Sequence, residues 1–150
     1  PPELLARATM CKQFSDAHTS TFAQATAAKY LQADRMPATL QQVRRVYASR
    51  ADAMAKALHQ HLGAGLSFHA PLGGLFVWAR LTGQTGHTTD GNLLAKRAIE
   101  KGVAFVPGAP FFANNPDRST IRLSFATADE PKIAEGIERL AVAFRETTSN

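Results

Sequence analysis

Apolar residues recur at helical steps through the first sixty positions of this chain and shift to short, strand-like runs after that. Leu4, Ala8 and Cys11 keep helical spacing and predict a first helix closing near Phe14-Ser15-Asp16. The polar run Asp16 to Ser20 suits a break and a new N-cap. Phe22, Ala25, Ala28 and Leu31 then form a second stripe, which Asp34 does not extend. Pro37 falls where a helix tolerates proline, in the first turn of a third helix. There Leu40, Val43, Tyr47, Ala51, Met54, Leu58 and Leu62 repeat at three- and four-residue steps, and Gly63 and Gly65 stop the run.

Beyond Gly65 the period changes. Leu66 to His69 is short and apolar, Pro71 to Gly74 makes a turn, and Leu75 to Leu81 reads as a strand. A polar loop, Gly83 to Gly91, leads to a helix over Leu93 to Lys101, started by Asp90 or Asn92 and ended by Gly102. Val103 to Val106 predicts another strand, closed by Pro107-Gly108. Thr120 to Phe125 alternates, with Ile121, Leu123 and Phe125 on one side and Arg122 on the other. The last helix starts near Thr127 or Asp129 with Pro131 in its first turn, packs through Ile133, Ile137, Leu140 and Phe144, and frays over Thr147 to Asn150.

These elements predict an α+β fold: N-terminal helices and a long connecting helix, followed by a small, mainly antiparallel sheet with helices on one face. The sheet's other face is apolar as well. Phe76 and Trp78 project opposite to Val77, Ala79 and Leu81, so something outside this part of the chain is expected to cover them.

Composition narrows the picture only a little. Over 150 residues, 45% hydrophobic and 19% charged, the chain is globular in character. A single cysteine excludes an internal disulfide and suits a reducing, cytoplasmic compartment; Cys11 itself reads as a small buried helical residue. No apolar run approaches the roughly 20 residues of a membrane span. The start, Pro1 to Leu5, lacks signal-peptide features and an initiator methionine, which suggests a chain that begins within a longer protein. A net charge of +5 raises nucleic-acid binding. However, Arg44, Arg45, Arg50 and Lys56 read as a solvated helix face, and no base-reading motif accompanies them.

The ordered set Pro71-x-Gly73-Gly74-x-Phe76-Val77-Trp78, Gly102 to Gly108, Ile121 to Ala126, then Glu130 and Glu135-Gly136-Ile137 resembles the small domain of class I/II aminotransferases, fold-type I pyridoxal-phosphate enzymes. Lys12-Gln13-Phe14, Asp16-x-His18-Thr19-Ser20 and Ala28-x-Tyr30-Leu31 are similar to the branch with 2-aminoadipate-type and broad-specificity members. Val43-Arg44-Arg45, Tyr47 and Arg50 also resemble the aminotransferase-like domain of MocR regulators. The resemblance covers nearly the whole chain. It implies that residues 1–35 are the helical tail of a large domain, 36–62 an interdomain helix and 63–150 the small C-terminal domain. It also implies that the Schiff-base lysine and most of the pyridoxal 5'-phosphate site lie upstream of Pro1. No catalytic or cofactor-binding residue is then expected in this chain, and the full-length protein is expected to be a homodimer.

One functional residue carries over. Arg122 occupies the position that the resemblance assigns to the substrate α-carboxylate, where a guanidinium offers two parallel N–H donors. From residue type alone, a surface arginine or one paired with Glu or Asp is the commoner arrangement. The function implied is transfer of an amino group from an amino acid to a 2-oxo acid, with this fragment inactive by itself. The alternatives are the effector domain of a MocR-type regulator and a cofactor-free α+β binding module. Other candidates reduce to structural roles. Gly73-Gly74 and Pro107-Gly108 read as turns with special backbone angles, and Phe111-Phe112 as a plug or the edge of a pocket. His59 and His61 diverge on their helix; His18, His69 and His87 lack zinc-type spacing, so no metal is expected.

Overall fold

The computed structural model describes residues 1–82 and 89–148. The predicted loop residues 83–88, with His87, and the last two residues lie outside the described set. The chain divides into two compact units, Pro1–Val43 and Arg44–Asn150.

The first unit is helical. Helix α1 spans Pro2–Ser15 and α2 spans Thr21–Gln32, with Ala17 and Asp34 in left-handed conformations at the breaks that follow. The long helix α3, Met36–His61, begins here with Pro37 in its first turn. The Tyr30 and Thr39 hydroxyls hydrogen-bond to each other, and this joins α2 to that first stretch. Neither α1 nor α2 buries a residue, and Leu4, Leu5, Phe14 and Phe22 are exposed. Cys11, expected to be buried, is exposed, because α1 buries none of its stripe within the first unit.

The second unit holds the core. The remainder of α3 ends at His61, shortly before Gly63, whose φ of +49° is a left-handed angle that favours glycine. Strands β1 (Leu66–Phe68), β2 (Phe76–Leu81), β3 (Val106–Pro107) and β4 (Thr120–Ser124) form one antiparallel sheet ordered β1-β2-β4-β3. Helix α4 (Gly91–Glu100) and helix α5 (Glu130–Thr148) cover one face. Asp90 caps α4 by accepting from the Asn92 N–H at 2.7 Å, and Asp129 accepts from the Lys132 N–H at the start of α5.

Alternation decides which residues enter the core. Val77, Ala79 and Leu81 of β2 and Ile121 and Leu123 of β4 are buried against Leu94 of α4 and Ile133, Ile137, Leu140 and Phe144 of α5. Met54, Ala57 and Leu58 of α3 join the same cluster. Each large side chain buried here contributes about 2 kcal/mol of transfer free energy.

Strand β3 is shorter and later than Val103–Val106. The Val103 N–H is taken by the Ala98 carbonyl as α4 unwinds, so pairing with β4 begins only at Val106. Gly74 has the left-handed angle expected of its turn, but Gly108 does not. Its φ is −80°, and the constraint is proximity: a Cβ on Gly108 would stand 2.7 Å from Thr120 Cβ.

Candidate functional site

The sheet face away from α4 and α5 carries the candidate site. Arg122 lies at the centre of β4, paired in register with Trp78 of β2 on one side and Val106 of β3 on the other. The alternation that buries Ile121 and Leu123 sends the guanidinium to the open face, as its sequence position predicts.

Two aromatic rings lie over it, and two more adjoin them. Arg122 Cζ lies over the Phe76 ring, 4.3 Å from its centroid, and over the Phe111 ring at 4.6 Å. Phe76 arrives from β2, and Phe111 from the helical turn Ala109–Phe111 after β3, so rings from both flanks of β4 meet the cation. Trp78 stands edge-on to Phe111, with ring centres 5.7 Å apart, and lies 6.1 Å from Phe112. Phe76 and Trp78 remain 43% and 42% exposed, which makes this face an apolar surface around one half-buried cation.

Arg122 has no acid beside it among the described residues. Its Nε is buried without a hydrogen-bond partner, and among the described residues no carboxylate forms an ion pair with it. The neighbouring cation, Arg80, differs: its guanidinium meets Asp117 at 2.7 Å. That carboxylate also accepts from the Ser119 hydroxyl at 2.6 Å, the largest influence holding Asp117 below the usual aspartate range. A cleft of about 410 Å³ is lined by Thr89, Asp90, Pro116, Asp117, Arg118 and Ser119. Both of its acids are already paired, Asp117 with Arg80 and Asp90 with Arg118, so it has no free charge to offer a ligand.

A second connection reaches the exit of β4. Arg50 Nη1 donates to the Ala126 carbonyl at 2.6 Å, and the Ser49 hydroxyl donates to Glu130 at 2.6 Å. That hydroxyl is the main cause of the lowered Glu130 pKa. Arg50 is therefore not part of the solvated face expected of it, unlike Arg44, Arg45 and Lys56. The signal was present in the spacing: Arg50 follows Tyr47 by three and precedes Met54 by four, on the buried stripe. The cation-facing roles of Phe76 and Phe111 had no such local signal.

Among the described residues no cluster of His, Cys, Asp and Glu could hold a metal, and no helix is long and apolar enough to cross a membrane. His59 packs against Phe68 with ring centres 4.8 Å apart.

This arrangement can be set beside known proteins. The model of the family "Aminotransferase class I and II" matches residues 4–140. The chain belongs to that family. It is 41% identical over 144 residues to the 2-aminoadipate transaminase of Thermus thermophilus, covering 96% of this chain and 35% of that protein. A crystal structure of alpha-aminoadipate aminotransferase from the same species, complexed with N-(5'-phosphopyridoxyl)-L-leucine, superposes with a TM-score of 0.89 at 38% identity. The match covers 99% of this chain and 37% of that one. A more distant relative, at 26% identity over 149 residues, is an uncharacterized HTH-type transcriptional regulator of Bacillus subtilis; the match covers 99% of this chain and 30% of the regulator. The chain thus spans about a third of the length of the curated proteins it matches.

Proposed function

We propose that this chain is the part of a pyridoxal-phosphate-dependent aminotransferase that binds the α-carboxylate of the amino-acid and 2-oxo-acid substrates, through Arg122. The observation that carries the reading is a half-buried guanidinium on the open sheet face, with two aromatic rings over it and a buried Nε that has no hydrogen-bond partner among the described residues. A buried N–H without an acceptor is costly, and a substrate carboxylate can supply one as part of a two-point, charge-assisted pair.

In this reading none of the lysines of this chain carries pyridoxal phosphate. Every lysine lies on a helix or at a helix end, and none stands among the residues around Arg122. Lys12, Lys101 and Lys132 are already engaged by Asp16, Glu146 and Asp129. The cofactor would be held by parts of the protein beyond this chain, in a cytoplasmic homodimer, and this chain alone would not transaminate. The likeness to a bacterial transcriptional regulator favours a second reading, in which the same carboxylate site senses an amino acid rather than processing it.

The test uses the complete protein. Arg122→Ala should lower kcat/KM for amino acids by about 2–5 kcal/mol, and Arg122→Lys by less, because it keeps the charge and loses the fork. Amines lacking the carboxylate should lose far less in the same variants. Equal losses for both kinds of substrate, or a variant that does not fold, would make Arg122 structural.

A further inference from the structure

Charged side chains are usually held in place by opposite charges, but an acid beside Arg122 would occupy the N–H donors a ligand needs. The guanidinium carries its donors in its plane and leaves its two faces free for aromatic rings. Contact through the faces can therefore orient the group and shield it from water without using a single donor.

Arg122 has two aromatic rings over its guanidinium carbon. The Phe76 and Phe111 ring centroids, from elements on opposite flanks of β4, both lie within 4.6 Å of Arg122 Cζ, and no acid competes among the described residues. Phe111 is itself steadied edge-on by Trp78, the residue opposite Arg122 in the β2–β4 register.

We propose that Phe76 and Phe111 are positioning residues that hold the Arg122 guanidinium through their ring faces, so that its forked edge is preset for a carboxylate. The proposal rests on the carboxylate-binding reading of Arg122. It makes aromaticity, rather than bulk, the property required at position 111. Phe111 is the better test site, because it is 51% exposed in a short turn and contributes nothing to the buried core.

The experiment measures KM and kcat for L-leucine and for L-2-aminoadipate, with isopentylamine as the carboxylate-free comparator, in the complete protein. Phe111→Ala and Phe111→Leu should raise KM for both amino acids about tenfold, as expected for a lost cation–aromatic contact, with little change in kcat. Phe111→Tyr should stay within about twofold of the parent protein, since it keeps the ring face. Phe76→Leu should behave like Phe111→Leu, and isopentylamine should be unaffected throughout. The proposal is overturned if Phe111→Leu performs as well as Phe111→Tyr, because bulk alone would then suffice, or if the amine loses as much as the amino acids. Arg122→Ala in the same assay separates the two ideas. If it discriminates against carboxylates while the phenylalanine variants do not, only the positioning role fails. If Arg122→Ala shows no discrimination, the carboxylate reading fails and takes the positioning role with it.

Discussion

Arg50 and Ala126 are joined across 2.6 Å by a hydrogen bond from the guanidinium to the backbone carbonyl, which ties the middle of α3 to the segment just beyond β4. One turn of α3 therefore makes two contacts with the stretch that leads from the Arg122 strand into α5, the second being Ser49 to Glu130. The strand that carries the candidate site is anchored at its exit by a helix distant in sequence.

That anchor should be measurable. A half-buried, charge-assisted hydrogen bond contributes about 1.5–3 kcal/mol, so Arg50→Ala should lower the stability of the second unit by about 2 kcal/mol. Arg50→Lys should cost less, and Ser49→Ala less again because that contact is exposed. Urea unfolding followed by circular dichroism gives the ranking; an Arg50→Ala midpoint equal to that of the parent chain would show that the bond contributes nothing.

Gly108 should not tolerate alanine, although its backbone angles are ordinary. A Cβ there would stand 2.7 Å from Thr120 Cβ and 2.9 Å from the Thr120 carbonyl carbon, so β3 and β4 would have to separate. Overpacking of this kind costs about 1–3 kcal/mol. Adding Thr120→Ala to Gly108→Ala should relieve it only in part, since the backbone and Cβ contacts remain. Thermal unfolding of the single and double variants checks this, and full recovery in the double variant would refute it.

Asp117 should contribute to acid sensitivity. The Ser119 hydroxyl, then the Ser119 N–H and the Arg80 charge, outweigh the opposing effect of burial and hold its carboxyl below the usual range. Because the folded-state pKa is the lower one, the unfolded chain binds the extra proton between the two values. The stabilisation is complete above the unfolded value and is lost as pH falls through the folded one. Stability measured from about pH 6 down to pH 3 should fall less steeply in Asp117→Asn than in the parent chain. Parallel curves would rule out this contribution.

The open sheet face should promote association when this chain is produced by itself. Phe76, Trp78, Phe111 and Phe112 present adjoining apolar surface around Arg122. Sedimentation should show concentration-dependent self-association, weakened by Phe112→Ser. An identical profile for that variant would locate the contact elsewhere.

The sequence by itself was enough to place the helices and the other strands, though not the bounds of β3, and to orient Arg122. Helical spacing and strand alternation are local properties, set by the 3.6- and 2-residue periods of the backbone. Hence α3 ends just before its glycines, Val77, Ala79 and Leu81 face the core together, and Arg122 faces away from Ile121 and Leu123. Tertiary structure decided what surrounds that arginine. The strand order β1-β2-β4-β3 brings Phe76 and Phe111 to it from opposite flanks, and no spacing within either segment announces the meeting. The same holds for Gly108, which looked like a turn glycine and is a close-packing one, and for Arg50, which looked solvated and holds the exit of β4. In each case the deciding interaction joins segments far apart in the chain. Periodicity says which way a side chain points, but only the assembled sheet and helices determine what it meets.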